Sequence, residues 1–117
     1  MSSYRYSLRL TTSDKSRAFF GPGPAGLFEK IERTRSISKA AKEMNMAYTK
    51  AWRIIKYAED QLNCSLVETM SGGKGGGGSS LTAKAKKLLS AYLAMRSELD
   101  DKTKELYEKH IAPILDK

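Results

Sequence analysis

The chain is 117 residues long, enough for one domain. It carries 21 Lys and Arg against 13 Asp and Glu, a formal net charge of +8 that favours an anionic partner. No run approaches the roughly 18 apolar residues of a membrane span, the first ten residues lack the apolar core of a secretory leader, and the lone Cys64 excludes an intramolecular disulfide, so a reducing cytoplasm is the expected setting.

Tyr4 to Leu10 alternates as a strand with one buried face does, and Arg17 to Phe20 reads as its return strand across a turn at Thr11–Lys15. Gly21-Pro22-Gly23-Pro24 breaks regular structure, and a first helix is expected from about Pro24 to Thr34, with Leu27, Phe28 and Ile31 on one side. Ser36-Ile37-Ser38 opens a second helix, with Ser38 as its N-cap and Ala40, Ala41 and Met44 inward. Asn45-Met46-Ala47 is a tight turn, and a third helix runs from about Ala47 to Leu62. Leu66–Thr69 and Ser80–Thr82 flank a glycine tract as the arms of a second hairpin. From Ala83 to about Ile111 the pattern is helical without Gly or Pro, and Pro113 marks its end.

Short helix, turn and longer helix form a helix-turn-helix, with small Ala40 and Ala41 allowing close approach. At about 100° per residue, Ala51, Ile55, Ala58 and Leu62 make one stripe of the third helix, its core face. Thr49, Arg53, Lys56 and Asp60 stand opposite. Such a face suits a recognition helix, with Tyr48, Thr49, Lys50 and Trp52 near its N-terminal end and Arg53 able to form a bidentate pair with a guanine. Arg53 and Lys56 alone are equally compatible with a solvated face, and Tyr48 and Trp52 with core positions. Ser38 and Lys39 of the second helix are candidate DNA contacts, and Lys39, Lys42, Lys56 and Lys74 candidate phosphate contacts. Gly72, Gly73, Lys74, Gly75 and Gly76 suit a wing whose backbone approaches a nucleic-acid surface closely, although a Gly/Ser tract is also what a flexible linker contains.

Residues 1–90 hold 16 Lys and Arg against 7 Asp and Glu, whereas residues 91–117 hold 5 against 6. The anion-seeking part is therefore the body. In the last helix Ala85, Leu88, Tyr92, Met95, Leu99 and Leu106 recur at spacings near three and four, interrupted at Lys102 and Thr103, approximating a coiled-coil seam. Leu88, Tyr92, Met95, Leu99 and Leu106 are the expected dimer contacts. The alternative is a helix that packs back on its own domain, for its first half above all.

Gly21 to Gly26 matches G-x-G-x-x-G, but two prolines lie inside the match and no second strand follows, which removes the βαβ unit that dinucleotide binding needs. The glycine tract lacks the Gly-Lys-Ser/Thr ending of a P-loop. One cysteine and one histidine, Cys64 and His110, leave no metal site and no catalytic constellation, so no cofactor and no enzyme activity are expected.

Taken together, Ser36-Ile37-Ser38, Ala40-Ala41, Tyr48, Lys50-Ala51-Trp52, Leu66-Val67-Glu68, the tract Gly72 to Gly78 and Leu81-Thr82 resemble the N-terminal DNA-binding domain of the ModE family of molybdate-responsive regulators, and more loosely the LysR-type helix-turn-helix. The resemblance covers roughly residues 17–110. It implies a prokaryotic transcriptional regulator with a winged helix-turn-helix that binds duplex DNA as a homodimer. ModE proteins carry further oxyanion-binding domains, so a molybdate or other oxyanion effector is not expected in this chain. The fold expectation is α+β, mostly α: residues 1–82 form the winged helix-turn-helix with an N-terminal β-hairpin, and 83–117 a dimerisation helix. The alternatives are a sequence-tolerant architectural DNA-binding protein and a protein-interaction adaptor.

Overall fold

The computed structural model describes residues 4–73 and 76–115. They are mostly helical, with a small two-stranded antiparallel sheet and a long C-terminal helix. In chain order the elements are α1 (Pro22–Thr34), α2 (Ile37–Glu43), α3 (Tyr48–Leu62), β1 (Val67–Gly73), β2 (Gly76–Leu81), α4 (Ala83–Leu106), a π-helical turn (Tyr107–Ile111) and α5 (Ala112–Leu115).

α1 begins two residues earlier than its sequence suggests. The first amides of a helix have no intrahelical acceptor, so Pro22 and Pro24 lose nothing by lacking an N–H there, and their fixed φ suits the turn. The helix ends at Arg35, whose φ of 59° is left-handed and whose N–H returns to the Ile31 carbonyl. α2 is capped by Ser36 and not by Ser38: the Ser36 hydroxyl accepts the Lys39 N–H at 3.0 Å. Ser36 has the extended backbone a cap requires, whereas Ser38 already lies inside the helix and is exposed. Ser36→Ala is therefore expected to cost about 1 kcal/mol in a urea unfolding experiment, whereas Ser38→Ala should change stability by less than about 0.5 kcal/mol. The reverse order would contradict this cap.

The expected N-terminal hairpin is reduced to a single antiparallel bridge, Leu10 to Phe20. Continuing that register would pair Leu8 with Pro22, which has no N–H to donate and already belongs to α1. Residues 4–9 instead run along α4. Tyr92 donates its hydroxyl to the Leu8 carbonyl at 2.8 Å, Tyr4 stacks on Tyr107 at 4.7 Å, and Tyr6 donates to the Asp100 carboxylate. That last bond holds the Tyr6 phenol above its ordinary pKa.

β1 and β2 pair from Val67–Leu81 to Gly73–Gly76, with a register irregularity between Met70 and Gly73. The strands thus extend into the glycine tract from both sides, to Gly73 and from Gly76, instead of stopping at its edges. Gly78 has a packing reason: a Cβ there would lie 3.3 Å from the Arg35 carbonyl oxygen, which accepts the Ser79 N–H at 2.9 Å. The sheet is thereby tied to the turn between α1 and α2.

Leu27, Phe28, Ile31, Ala40, Ala51, Ile55, Ala58, Leu66 and Ala85 are fully buried in one core. Phe20 sits at its centre, edge-on to Phe28 and to Tyr92 with both ring centroids 5.2 Å away. Tyr92 is 1% exposed, so it belongs to the chain's own core and leaves the expected dimer seam. Its bond to Leu8 and its packing on Phe20 explain why α4 folds back along its first half. Pro113 does not stop the helix. It falls inside α5, preceded by the π-helical turn in which the Ala112 N–H reaches back to Tyr107. A π turn widens the backbone just where the proline ring would otherwise press on the carbonyl four residues earlier.

Candidate nucleic-acid interface

α3 is a strongly amphipathic helix whose Ala51, Ile55 and Ala58 are buried, with Leu62 half-buried at the end of the stripe. The opposite face carries Thr49, Arg53, Lys56 and Asp60, with Lys50 on its flank, all exposed. Tyr48 is half exposed at 50% and meets the edge of Trp52 at 6.3 Å. Trp52 is half-buried and packs against the core, so it serves as a platform at the margin of the face. The Lys56 ammonium lies 5.2 Å from the centre of the Trp52 ring and 3.4 Å from Glu59. Lys50 and Arg53 have no acidic partner among the described residues.

α2 presents Ser38, Lys39 and Lys42 to solvent. Ser38, Ser36 and Ile37 line a groove of about 230 Å³ with Tyr48, Met70, Gly78 and Ser79. The start of α2, the start of α3 and the hairpin therefore converge on one concavity. Of the expected hairpin contacts, Gly72 and Gly73 close β1 and Gly76 opens β2. Lys74 and Gly75 lie outside the described residues.

Periodicity does not reveal how the hairpin is fixed to α3. Glu59, on the flank of the helix, accepts the N–H groups of Leu66 at 2.8 Å and Val67 at 3.2 Å through one carboxylate oxygen. Its side chain is only 12% exposed. The carboxylate thus anchors the start of β1 while its other oxygen faces Lys56. Only a carboxylate followed seven residues later by an unpaired strand entry hints at this in the sequence.

Along α4, Leu88 and Leu99 are half-buried, whereas Met95 and Leu106 are exposed at 47% and 39%. Ala91, Ala94, Met95, Glu98, Leu99 and Lys102 line a shallow, mainly apolar groove on the helix face turned away from the core. Cys64 is half-buried and His110 exposed. Among the described residues no three His, Cys, Asp or Glu side chains gather as metal ligands, and no helix is long and apolar enough to cross a membrane.

Residues 26–86, from α1 to the first turn of α4, match the family described as bacterial regulatory helix-turn-helix protein, lysR family. Molybdenum transport protein ModE of Herbaspirillum seropedicae is 41% identical over 66 residues, which is 56% of this chain and 24% of that protein. Molybdenum-pterin-binding protein MopB of Rhodobacter capsulatus is 36% identical over 84 residues, 72% of this chain and 31% of its own length. DNA-binding transcriptional dual regulator ModE of Escherichia coli K12 is 35% identical over 83 residues, with 71% and 32% covered. The chain thus spans between 24% and 32% of the length of these relatives.

Proposed function

Since the chain belongs to the bacterial regulatory helix-turn-helix proteins of the lysR family, we propose that it is a sequence-specific, duplex-DNA-binding transcriptional regulator that reads the major groove with the exposed face of α3. The observation that carries this reading is the cationic face itself. Lys50 and Arg53 are exposed and unpaired among the described residues, on a helix whose opposite face is locked into the core. Tyr48 and Thr49 stand at its N-terminal end, where base edges are approached. In this reading Arg53 contacts a base, and Trp52 supports Lys56 at the phosphate backbone. Ser38 and Lys39 touch the backbone from α2, and the β1–β2 hairpin is the wing, with Gly72, Gly73, Lys74, Gly75 and Gly76 as its DNA contacts. The function is binding, not catalysis.

Residues 1–82 would hold the DNA and α4 would pair two subunits through Leu88, Met95, Leu99 and Leu106. The apolar groove around Ala91 and Met95, away from the core, supports that pairing. Met95→Glu is expected to convert a dimer to a monomer in sedimentation at micromolar concentration and to weaken binding to a two-half-site duplex. An unchanged sedimentation coefficient would remove this face from the interface.

Selection from a random duplex library, with binding repeated at two salt concentrations, tests the function. An enriched palindrome with half-site centres about 34 Å apart is the expected result. The formal charge of +8 also favours a sequence-tolerant architectural binder, and tight, salt-sensitive binding without an enriched sequence would establish that reading instead.

A further inference from the structure

α3 is gripped on two flanks. At about 100° per residue, Tyr57 and Glu59 stand on nearly opposite sides of the helix, with Arg53 and Lys56 between them on the exposed side. Glu59 holds the start of β1. Tyr57 holds the N-terminal segment: its hydroxyl donates to the Arg17 carbonyl at 3.0 Å, and the Arg17 guanidinium carbon lies over its ring, 3.9 Å from the centroid. The exposed face of α3 thus has the hairpin on one shoulder and Arg17 on the other.

Arg17 does not stand alone. With Lys50 and Arg53 it surrounds a concavity of about 310 Å³, floored by Phe19, Pro24, Ile54 and Tyr57. None of the three cations forms an ion pair among the described residues. Gathering like charges without a counter-charge is electrostatically unfavourable, and an anion seated among them reverses the sign of that energy. Arg17 is exposed, and a cation–π contact with a ring occupies none of a guanidinium's five N–H donors, which can take an oxyanion.

We infer that Arg17 is a DNA-phosphate contact on the shoulder of α3 opposite the hairpin, binding a backbone phosphate beside the groove that α3 enters. This rests on the reading of α3 as the DNA-facing helix. A major groove is bordered by two phosphate backbones, and the two shoulders give the protein one cationic or backbone-donating element for each. The N-terminal segment, outside the matched residues 26–86, then becomes part of the DNA-binding surface.

The test compares the parent, Arg17→Ala and Arg17→Lys on a selected duplex and on an unrelated one, across a salt series, with thermal melts to establish that each variant folds. Arg17→Ala is expected to lower the slope of log K against log salt by about 0.9, which corresponds to about fivefold weaker binding at ~0.15 M salt on both duplexes. Arg17→Lys keeps the slope. If Arg17→Ala binds a duplex with the parent's affinity and slope, the inference fails while the proposed function stands. A loss confined to the selected sequence would make Arg17 a base reader and overturn it equally. Saturable binding of inorganic phosphate that Arg17→Ala abolishes, with the DNA slope unchanged, would assign the pocket to a small free anion instead. A parent that binds no duplex at any salt would sink both this inference and the reading beneath it.

Discussion

Replacing Glu59 with alanine is expected to lower the unfolding free energy by roughly 2–6 kcal/mol, although the residue sits on a helix flank and not in the apolar core. Two interactions compete to explain its worth. The pair with Lys56 joins an ammonium that is 63% exposed to a carboxylate at 3.4 Å, and such a pair contributes about 0–1 kcal/mol once water and salt screen it. The other interaction is with the Leu66 and Val67 amides, at residues 0% and 7% exposed. Removing the acceptor leaves both donors without a partner where water enters poorly, and each such orphan costs about 1–3 kcal/mol. The backbone anchor therefore dominates. Glu59→Gln retains a neutral acceptor oxygen and should lose roughly half as much, while Lys56→Ala should change stability by under ~1 kcal/mol. Urea unfolding of the three variants, with amide exchange at Leu66 and Val67, decides the matter. A Glu59→Ala variant as stable as the parent, with those amides still protected, would show that the strand entry is held by something else. The consequence for function is that Glu59 ties the hairpin to α3, while the Ser79–Arg35 bond ties it to the turn after α1, so DNA affinity should fall in step with loss of amide protection.

What the sequence makes legible follows from periodicity and chain-local chemistry. The stripe of Ala51, Ile55 and Ala58 predicts both the core face of α3 and, by subtraction, the exposed Thr49, Arg53 and Lys56. The order of helices and the hairpin around the glycines is read in the same way. The misreadings have a common origin in interactions between residues distant in sequence, or in choices between equivalent local signals. Ser36 and Ser38 are equally good caps by composition, and the left-handed Arg35 before them settles which one has the extended backbone. Tyr92 has the spacing of a dimer seam, yet its hydroxyl meets the carbonyl of Leu8, 84 positions away, and its ring meets Phe20. Tyr4 to Leu10 alternates like a strand because Tyr4 and Tyr6 face α4, so the alternation reports a surface to lie on without specifying a partner strand. Arg17 and Glu59 carry no periodic signal at all. Each acts across the flank of α3 on a segment that periodicity treats as separate.

Arg53→Ala should weaken binding to the selected duplex by about 1–3 kcal/mol, roughly fivefold to 150-fold, and relax base choice at one position in each half-site. The fold should not respond, because Arg53 is exposed and has no acidic partner among the described residues. Charge alone predicts an effect at the lower end of that range: one phosphate contact is worth about fivefold at ~0.15 M salt, the same on every sequence. The two explanations separate in Arg53→Lys. Lysine keeps the positive charge but loses the planar fork that fits the two acceptors on a guanine edge. If Arg53 reads a base, Arg53→Lys should keep the salt slope and binding to unrelated DNA while losing most of the discrimination at the affected position. If Arg53 only neutralises a phosphate beside Arg17 and Lys50, Arg53→Lys should resemble the parent on both duplexes. Selection repeated with Arg53→Lys distinguishes them, since only the first predicts a degenerate column in an otherwise unchanged site. An intact column would move the base reader to the N-terminal end of α3, where Tyr48 and Thr49 are exposed.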